Sequence, residues 1–169
     1  MLHAGEDIRF IARRIVIFAS EDVGNADPRA ISVAVAAMQA VDMIGLPEAK
    51  IILSQAVTYC ATAPKSNASL LAVTQAGADV EKDRVQPIPL ALRDAHYKGA
   101  KEQGYGVGYQ YPHDSGGFAV QDYLTVDRRY YEPKPIGYEA KIRERMEYWR
   151  SLRKYGGKTA AGSGDDSDE

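Results

Sequence analysis

Residues 7–43 constrain the fold more than any other stretch, because they hold two helical patterns joined by a single turn. Ile8, Ile11, Ala12, Ile15, Phe18 and Ala19 recur at helical spacing, with Arg9, Arg13 and Arg14 elsewhere on the wheel. Gly24 suits a left-handed C-terminal cap, since it carries no Cβ to clash. Asp27 followed by Pro28 reads as a helix start: a carboxylate to take up free amides, then a proline whose missing N–H costs nothing in a first turn. In the second pattern Ile31, Ala34, Val35, Met38 and Val41 form one stripe. Val33, Ala36, Ala37, Ala40 and Ile44 fill most of the other faces. A helix apolar nearly all round is buried on several sides, so the rest of the chain is expected to pack about it.

The pattern predicts helices over roughly 6–22 and 28–44. Gly45-Leu46-Pro47 separates the second from a third, whose buried stripe is Ile52, Ala56, Tyr59, Cys60 and Ala63. Ala63-Pro64 ends it. Ser66 or Asn67 caps a fourth helix, in which Leu70, Val73, Gly77 and Val80 line up before a charged end at Glu81, Lys82, Asp83 and Arg84. Connections of a few residues favour antiparallel neighbours. The fold class is all-α.

The second half changes character. Pro87 and Pro89 hold residues 85–92 extended. Residues 93–103 are expected to hold a short helix ended by Gly104, and residues 121–127 a short extended piece. Ten of the eleven tyrosines lie between Tyr97 and Tyr155. Free linkers are poor in aromatic residues, so the glycine-punctuated stretch from Tyr105 to Phe118 reads as an ordered loop pinned by rings over the helices. A last helix runs from 137 to 154, with Ile142, Met146, Trp149 and Leu152 or Arg153 following helical steps and Glu139 paired to Arg143 at i,i+4. From Gly156 the chain is glycine, serine, alanine and acid. Residues 1–154 are thus expected to form one helical domain and 155–169 a disordered acidic tail, dispensable for folding.

Setting aside Lys158 and the four terminal acids, 20 basic residues face 19 acidic ones. A nearly neutral body makes no strong electrostatic case for nucleic acid. No apolar run approaches the ~20 residues of a membrane span, and residues 1–6 lack the basic-then-apolar order of a signal peptide. A single cysteine, Cys60, excludes an internal disulfide and fits a reducing, intracellular location.

No phosphate loop of the form Gly-x-x-x-x-Gly-Lys-Ser/Thr occurs. Gly104-x-Gly106-x-Gly108 follows no strand and opens no helix, so it reads as a turning loop. His113-Asp114 has no second histidine or cysteine pair at ligand spacing. Cys60, on a core face, reads as an apolar filler. Ser20-Glu21-Asp22 reads as a solvated helix end. No catalytic, cofactor-binding or metal-binding residue is assigned. Arg128-Arg129-Tyr130-Tyr131 is the best candidate for nucleic acid, since arginine beside a ring can hold phosphate and stack a base. The competing reading is ring packing with the arginines reaching out to water.

Four stretches together resemble a known family: Phe10-Ile-Ala-Arg-Arg-Ile-Val-Ile-Phe-Ala-Ser-Glu-Asp-Val-Gly-Asn-Ala-Asp-Pro-Arg-Ala, Ala63-Pro-Lys-Ser-Asn, Gly104-Tyr-Gly-x-Gly-Tyr-x-Tyr-Pro-His-Asp and Arg129-Tyr-Tyr-Glu-Pro. They resemble the C-terminal part of the replication-associated recombination protein A family (RarA, also MgsA), which includes the Werner-helicase-interacting proteins. The resemblance spans about residues 1–154. It implies an AAA+ ATPase parent related to clamp loaders, acting in DNA replication, recombination and repair at stalled forks. ATP and magnesium would bind an N-terminal part that these residues do not contain, so Met1 is expected to be an internal methionine of that parent. The implied role here is a non-catalytic oligomerisation domain similar to the clamp-loader collar and giving homotetramers. The implied parent binds DNA and replication-fork proteins, without membrane, in the cytoplasm or on the nucleoid. Ala91 stands where a histidine is common in that family.

Three functions are set against one another. One is the self-associating domain, with Tyr105, Tyr109, Tyr111 and Phe118 as interface candidates. The alternative is a DNA-binding module using 105–131, with Arg128 and Arg129 as contacts. The third is a small-molecule enzyme with the loop as a lid over His113.

Overall fold

A computed structural model describes residues 1–82 and 86–159. Among them lie five α-helices, α1 (Ile8–Phe18), α2 (Arg29–Ile44), α3 (Ala49–Thr62), α4 (Ala68–Lys82) and α5 (Glu139–Thr159), with short 3-10 turns and no strand. The chain is all-α, as expected. It divides into two compact units, where the sequence predicts one helical domain over 1–154. Among the described residues, the first holds Met1–Ala78 and Tyr130–Arg143, and the second holds Asp79–Arg129 and those from Glu144 on.

In the first unit α1, α2 and α3 enclose the core. Ile11, Ala12 and Ile15 of α1 meet Ala30, Ala34, Ala37 and Val41 of α2 and Ala49, Leu53, Ala56 and Cys60 of α3. The α2 set recurs at 4-3-4 spacing and is mostly alanine, which lets neighbouring helices approach to about 8 Å. Burial is therefore confined to one face. Ile31, Met43 and Ile44 of α2 are exposed, Met43 at 86%, which corrects the expectation of a helix covered on several sides. The core of α3 keeps Ala56 and Cys60 from the expected stripe, while Ile52, Tyr59 and Ala63 are only half-buried. Burial pushes the Cys60 thiol up, as suits a filler rather than a nucleophile.

The row that lines up on α4 is not a core face. Leu70, Val73, Gly77 and Val80 are all exposed, and it is Ala68 that is buried. Periodicity finds an apolar face but does not say what covers it.

The helix starts follow the capping chemistry. Asp7 accepts the Phe10 amide at 2.9 Å to open α1. The helix then widens into a π-helical turn, Ala19–Val23. Asp27 accepts the Arg29 amide at 3.2 Å, the Arg29 Nε–H at 3.0 Å and the Tyr59 hydroxyl at 2.7 Å. The Arg29 guanidinium holds the Asp27 carboxyl below the usual 3.8, with help from Tyr59 and against the effect of burial. A depressed folded-state value contributes stability that is present above 3.8 and lost as pH falls through the lowered value. Asp27→Asn is expected to cost about 1 kcal/mol at neutral pH and to flatten the acid limb of the urea midpoint against pH. An unchanged acid limb would refute this role.

In the second unit the expected helix over 93–103 is absent. The 3-10 turns Leu90–Leu92 and Lys101–Gln103 bracket an irregular path. Asp94 Oδ1 accepts the His96 amide at 2.9 Å, a side-chain turn that competes with helical bonding. Residues 121–127 form bends and no strand. There the Gln121 side-chain amide takes the place of a strand partner, accepting the Gln110 N–H at 3.1 Å and donating to its carbonyl at 2.9 Å. On α5, Ile142, Met146, Trp149 and Leu152 are half-buried, and the alternative Arg153 is exposed. The helix continues to Thr159, past the expected end at 154; the rest of the expected tail, 160–169, lies outside the described residues.

Candidate functional site

Three stretches far apart in sequence meet in the first unit around one carboxylate. Glu139, the first residue of α5, is fully buried. It accepts hydrogen bonds from the Ser66 hydroxyl at 2.6 Å, the Tyr131 hydroxyl at 2.6 Å and the Lys134 amide at 2.8 Å. A carboxylate is favoured at a helix N-terminus, where amides and dipole both point at it. Asn25 donates to the Tyr131 oxygen at 3.1 Å and to Ser69 Oγ at 3.4 Å. Lys134 Nζ donates to Asn67 Oδ1 at 2.7 Å. Burial, then the bond to Glu139, pushes the Tyr131 phenol up to about 12. Tyr131 therefore stays a neutral donor at any physiological pH.

Backbone contacts close the junction. The Ser66 amide donates to the Val23 carbonyl at 3.3 Å and the Tyr138 amide to the Ala26 carbonyl at 2.8 Å. Gly24 has φ +51°, and a Cβ there would stand 2.5 Å from the Ser66 carbonyl oxygen. Its ψ of −140° places it outside the left-handed helix basin that a C-terminal cap would use. Among the described residues no buried side-chain nitrogen or oxygen lacks a partner. The junction is thus saturated, and its chemistry is to hold elements together.

The sequence-derived interface candidates lie in the second unit and divide in two. Tyr105 is half-buried: Arg93 lies 5.1 Å over its ring and donates to its hydroxyl at 3.2 Å, and Tyr97 packs edge-on at 6.2 Å. Phe118 stacks on Trp149 of α5 at 5.0 Å with the rings parallel to 1°. Both rings pin the loop, as the sequence implies. Tyr109 and Tyr111 remain exposed, Tyr111 lying 5.0 Å from the His113 ring. Of the nucleic-acid candidates, Arg128 is half-buried and ion-paired with Asp79, whereas Arg129 is exposed. Among the described residues no group of three or more His, Cys, Asp or Glu could hold a metal ion. No helix among them is long and apolar enough to cross a membrane.

Residues 1–150 match the family model described as MgsA AAA+ ATPase C terminal. The chain belongs to this family. It is similar to replication-associated recombination protein A of Coxiella burnetii, 45% identical over 157 residues covering 90% of this chain and 36% of that protein. The same-named proteins of Bacillus subtilis and Escherichia coli K12 are 41% and 40% identical over 81% and 88% of this chain, and 33% and 34% of their own lengths. The chain thus spans about a third of the length of these relatives.

Membership gives the junction a context. Three of the four stretches that carry the MgsA resemblance supply Asn25, Ser66 and Tyr131 to it. Glu139, read from sequence as half of an i,i+4 pair, is its centre. A signal was there to find: Glu139, Ile142, Met146 and Trp149 follow one 3-4-3 stripe, which puts the carboxylate on the apolar face of α5.

Proposed function

We propose that this chain is the non-catalytic, self-associating C-terminal part of an AAA+ ATPase of the replication-associated recombination family, and that it assembles as a homotetramer. One observation carries the reading: apolar side chains stand exposed on three successive helices. Met43 and Ile44 end α2, Ile51 of α3 is 72% exposed, and Leu70, Leu71, Val73 and Val80 line α4. Scattered exposed apolar residues are ordinary, but rows of them on well-formed helices mark surfaces that meet another protein. Closed assemblies about two-fold axes are the commonest outcome for identical chains.

Sedimentation at micromolar concentration tests this. The expected result is one species near four times the 18.5 kDa chain mass; a single species at the chain mass would overturn it. The chain is also expected to turn over no ATP, since no phosphate loop is present. Turnover with tight nucleotide binding by a pure sample would refute that. A DNA-contacting role for 105–131 has weaker support, because the Asp79 carboxylate already engages Arg128 and leaves Arg129 to carry the attraction.

The remaining activity belongs to the parent. Hydrolysis of ATP with magnesium, and the meeting with DNA and fork proteins, are proposed for the larger part of the relatives' length that this chain does not span.

A further inference from the structure

α4 carries a glycine that nothing among the described residues explains. Gly77 lies in the interior of the helix, and no atom stands within 4 Å of where its Cβ would be. Its backbone has no positive φ that would call for glycine. Glycine is the poorest helix former after proline, and alanine would fit this space without contact.

The surroundings of Gly77 supply a reason from outside the chain. Leu70, Val73, Gly77 and Val80 recur at 3-4-3 spacing, the step that keeps side chains on one narrow seam of a helix. All four are exposed, Val73 at 66%. The seam therefore carries a projecting valine and, one turn further on, a notch.

We infer that α4 packs antiparallel against α4 of a second copy of this chain, Val73 of each copy seated on Gly77 of the other. The inference rests on the self-association proposed above and names its surface. In the antiparallel register Val73 faces Gly77 and Leu70 faces Val80, and a two-fold axis repeats both contacts. A parallel pair would set Val73 on Val73 and leave a void between the two glycines. It would also place Glu81 beside Glu81 and Lys82 beside Lys82, which antiparallel packing separates. Size limits the claim in a useful way. Ten residues of helix are about 15 Å long, too short to reach the roughly 800 Å² per partner of a stable interface. The α4 pair is therefore one contact of an assembly in which each chain meets more than one neighbour, as a tetramer requires.

Disulfide trapping in the full chain tests the register. Val73→Cys and Gly77→Cys proteins are oxidised separately and as an equal mixture, with wild type controlling for buried Cys60. Only the mixture should give a strong cross-linked dimer, because only there do the two positions face each other within disulfide reach. Cross-linking by either variant alone as readily as by the mixture overturns the antiparallel register. Absence of cross-linking in a protein that sediments as an oligomer overturns the surface and leaves self-association standing. A monomeric wild type overturns both. Gly77→Met supplies the independent arm: thermal melting should hold, while assembly weakens by at least about tenfold as the notch fills. Unchanged assembly in that variant overturns the inference as well.

Discussion

Gly137→Ala is expected to destabilise the first unit by at least about 3 kcal/mol. Gly137 has φ +53°, a region that alanine enters only at a cost of about 1–2 kcal/mol. A methyl group there would run into the Ala26 carbonyl oxygen, and would stand 3.0 Å from both the Ala26 carbonyl carbon and Pro64 Cγ. Neither neighbour is the free end of a flexible side chain. One is backbone and the other a proline ring, so relief requires moving the chain. The Ala26 oxygen accepts the Tyr138 amide at 2.8 Å, and displacing it forfeits that bond, worth about 1 kcal/mol net. Gly5 is the control: φ is +80° with ψ 15°, in the left-handed basin, and no atom lies within 4 Å of its Cβ site. Gly5→Ala should therefore cost only the conformational part, about 1 kcal/mol. Urea unfolding of both variants decides. Equal losses at the two positions would show that close approach to Ala26 is not what demands glycine.

The contrast between those glycines shows where the sequence was legible and where it stopped. Helix existence came through because capping and periodicity are local: Asp27 and the stripes of α1 and α5 act within a turn or two of themselves. Burial came through less well. Ile31 and Val73 have the same apolar character as Ile11 or Leu53, and only the partner helix, present for one and absent for the other, separates buried from exposed. The irregular paths over 93–103 and 121–127 were missed because side chains, Asp94 and Gln121, take backbone hydrogen-bonding places that propensity assigns to helix or strand. The candidate site divides in the same way. Composition marks the loop as pinned by rings, but it names Tyr105 and Phe118 as interface candidates, whereas they are two of the rings that pin it. The junction was not, since its members come from positions 25, 66, 131 and 139, and nothing local announces that they meet. Glu139 was half-visible: its place on the apolar stripe of α5 marks it as buried, and a buried carboxylate needs donors, which points to hydroxyl and amide groups elsewhere in the chain.

Glu139→Ala is expected to cost about 4 kcal/mol, the other large effect in this chain. Removing the carboxylate strands the Ser66 hydroxyl, the Lys134 amide and the Tyr131 proton, which now reach it at 2.6, 2.8 and 2.6 Å. A buried donor left without an acceptor loses about 1–3 kcal/mol, and α5 loses the negative group at its N-terminus as well. Glu139→Gln should cost less, about 2 kcal/mol, because one amide oxygen still accepts and the two hydroxyls can rotate to receive its N–H groups. The Lys134 amide has no such freedom. Tyr131→Phe removes one donor and should fall below both, and its loss should not add to that of Glu139→Ala, because the two changes delete the same hydrogen bond. A pH arm is independent of those magnitudes. The Tyr131 phenol is raised from 10.0 to about 12, so its contribution is complete below 10 and lost as pH climbs through about 12. Wild type should therefore lose stability relative to Tyr131→Phe across that alkaline window. Parallel urea midpoints from neutral pH to 12, or additive losses in the double variant, would show that Tyr131 and Glu139 do not act as one unit.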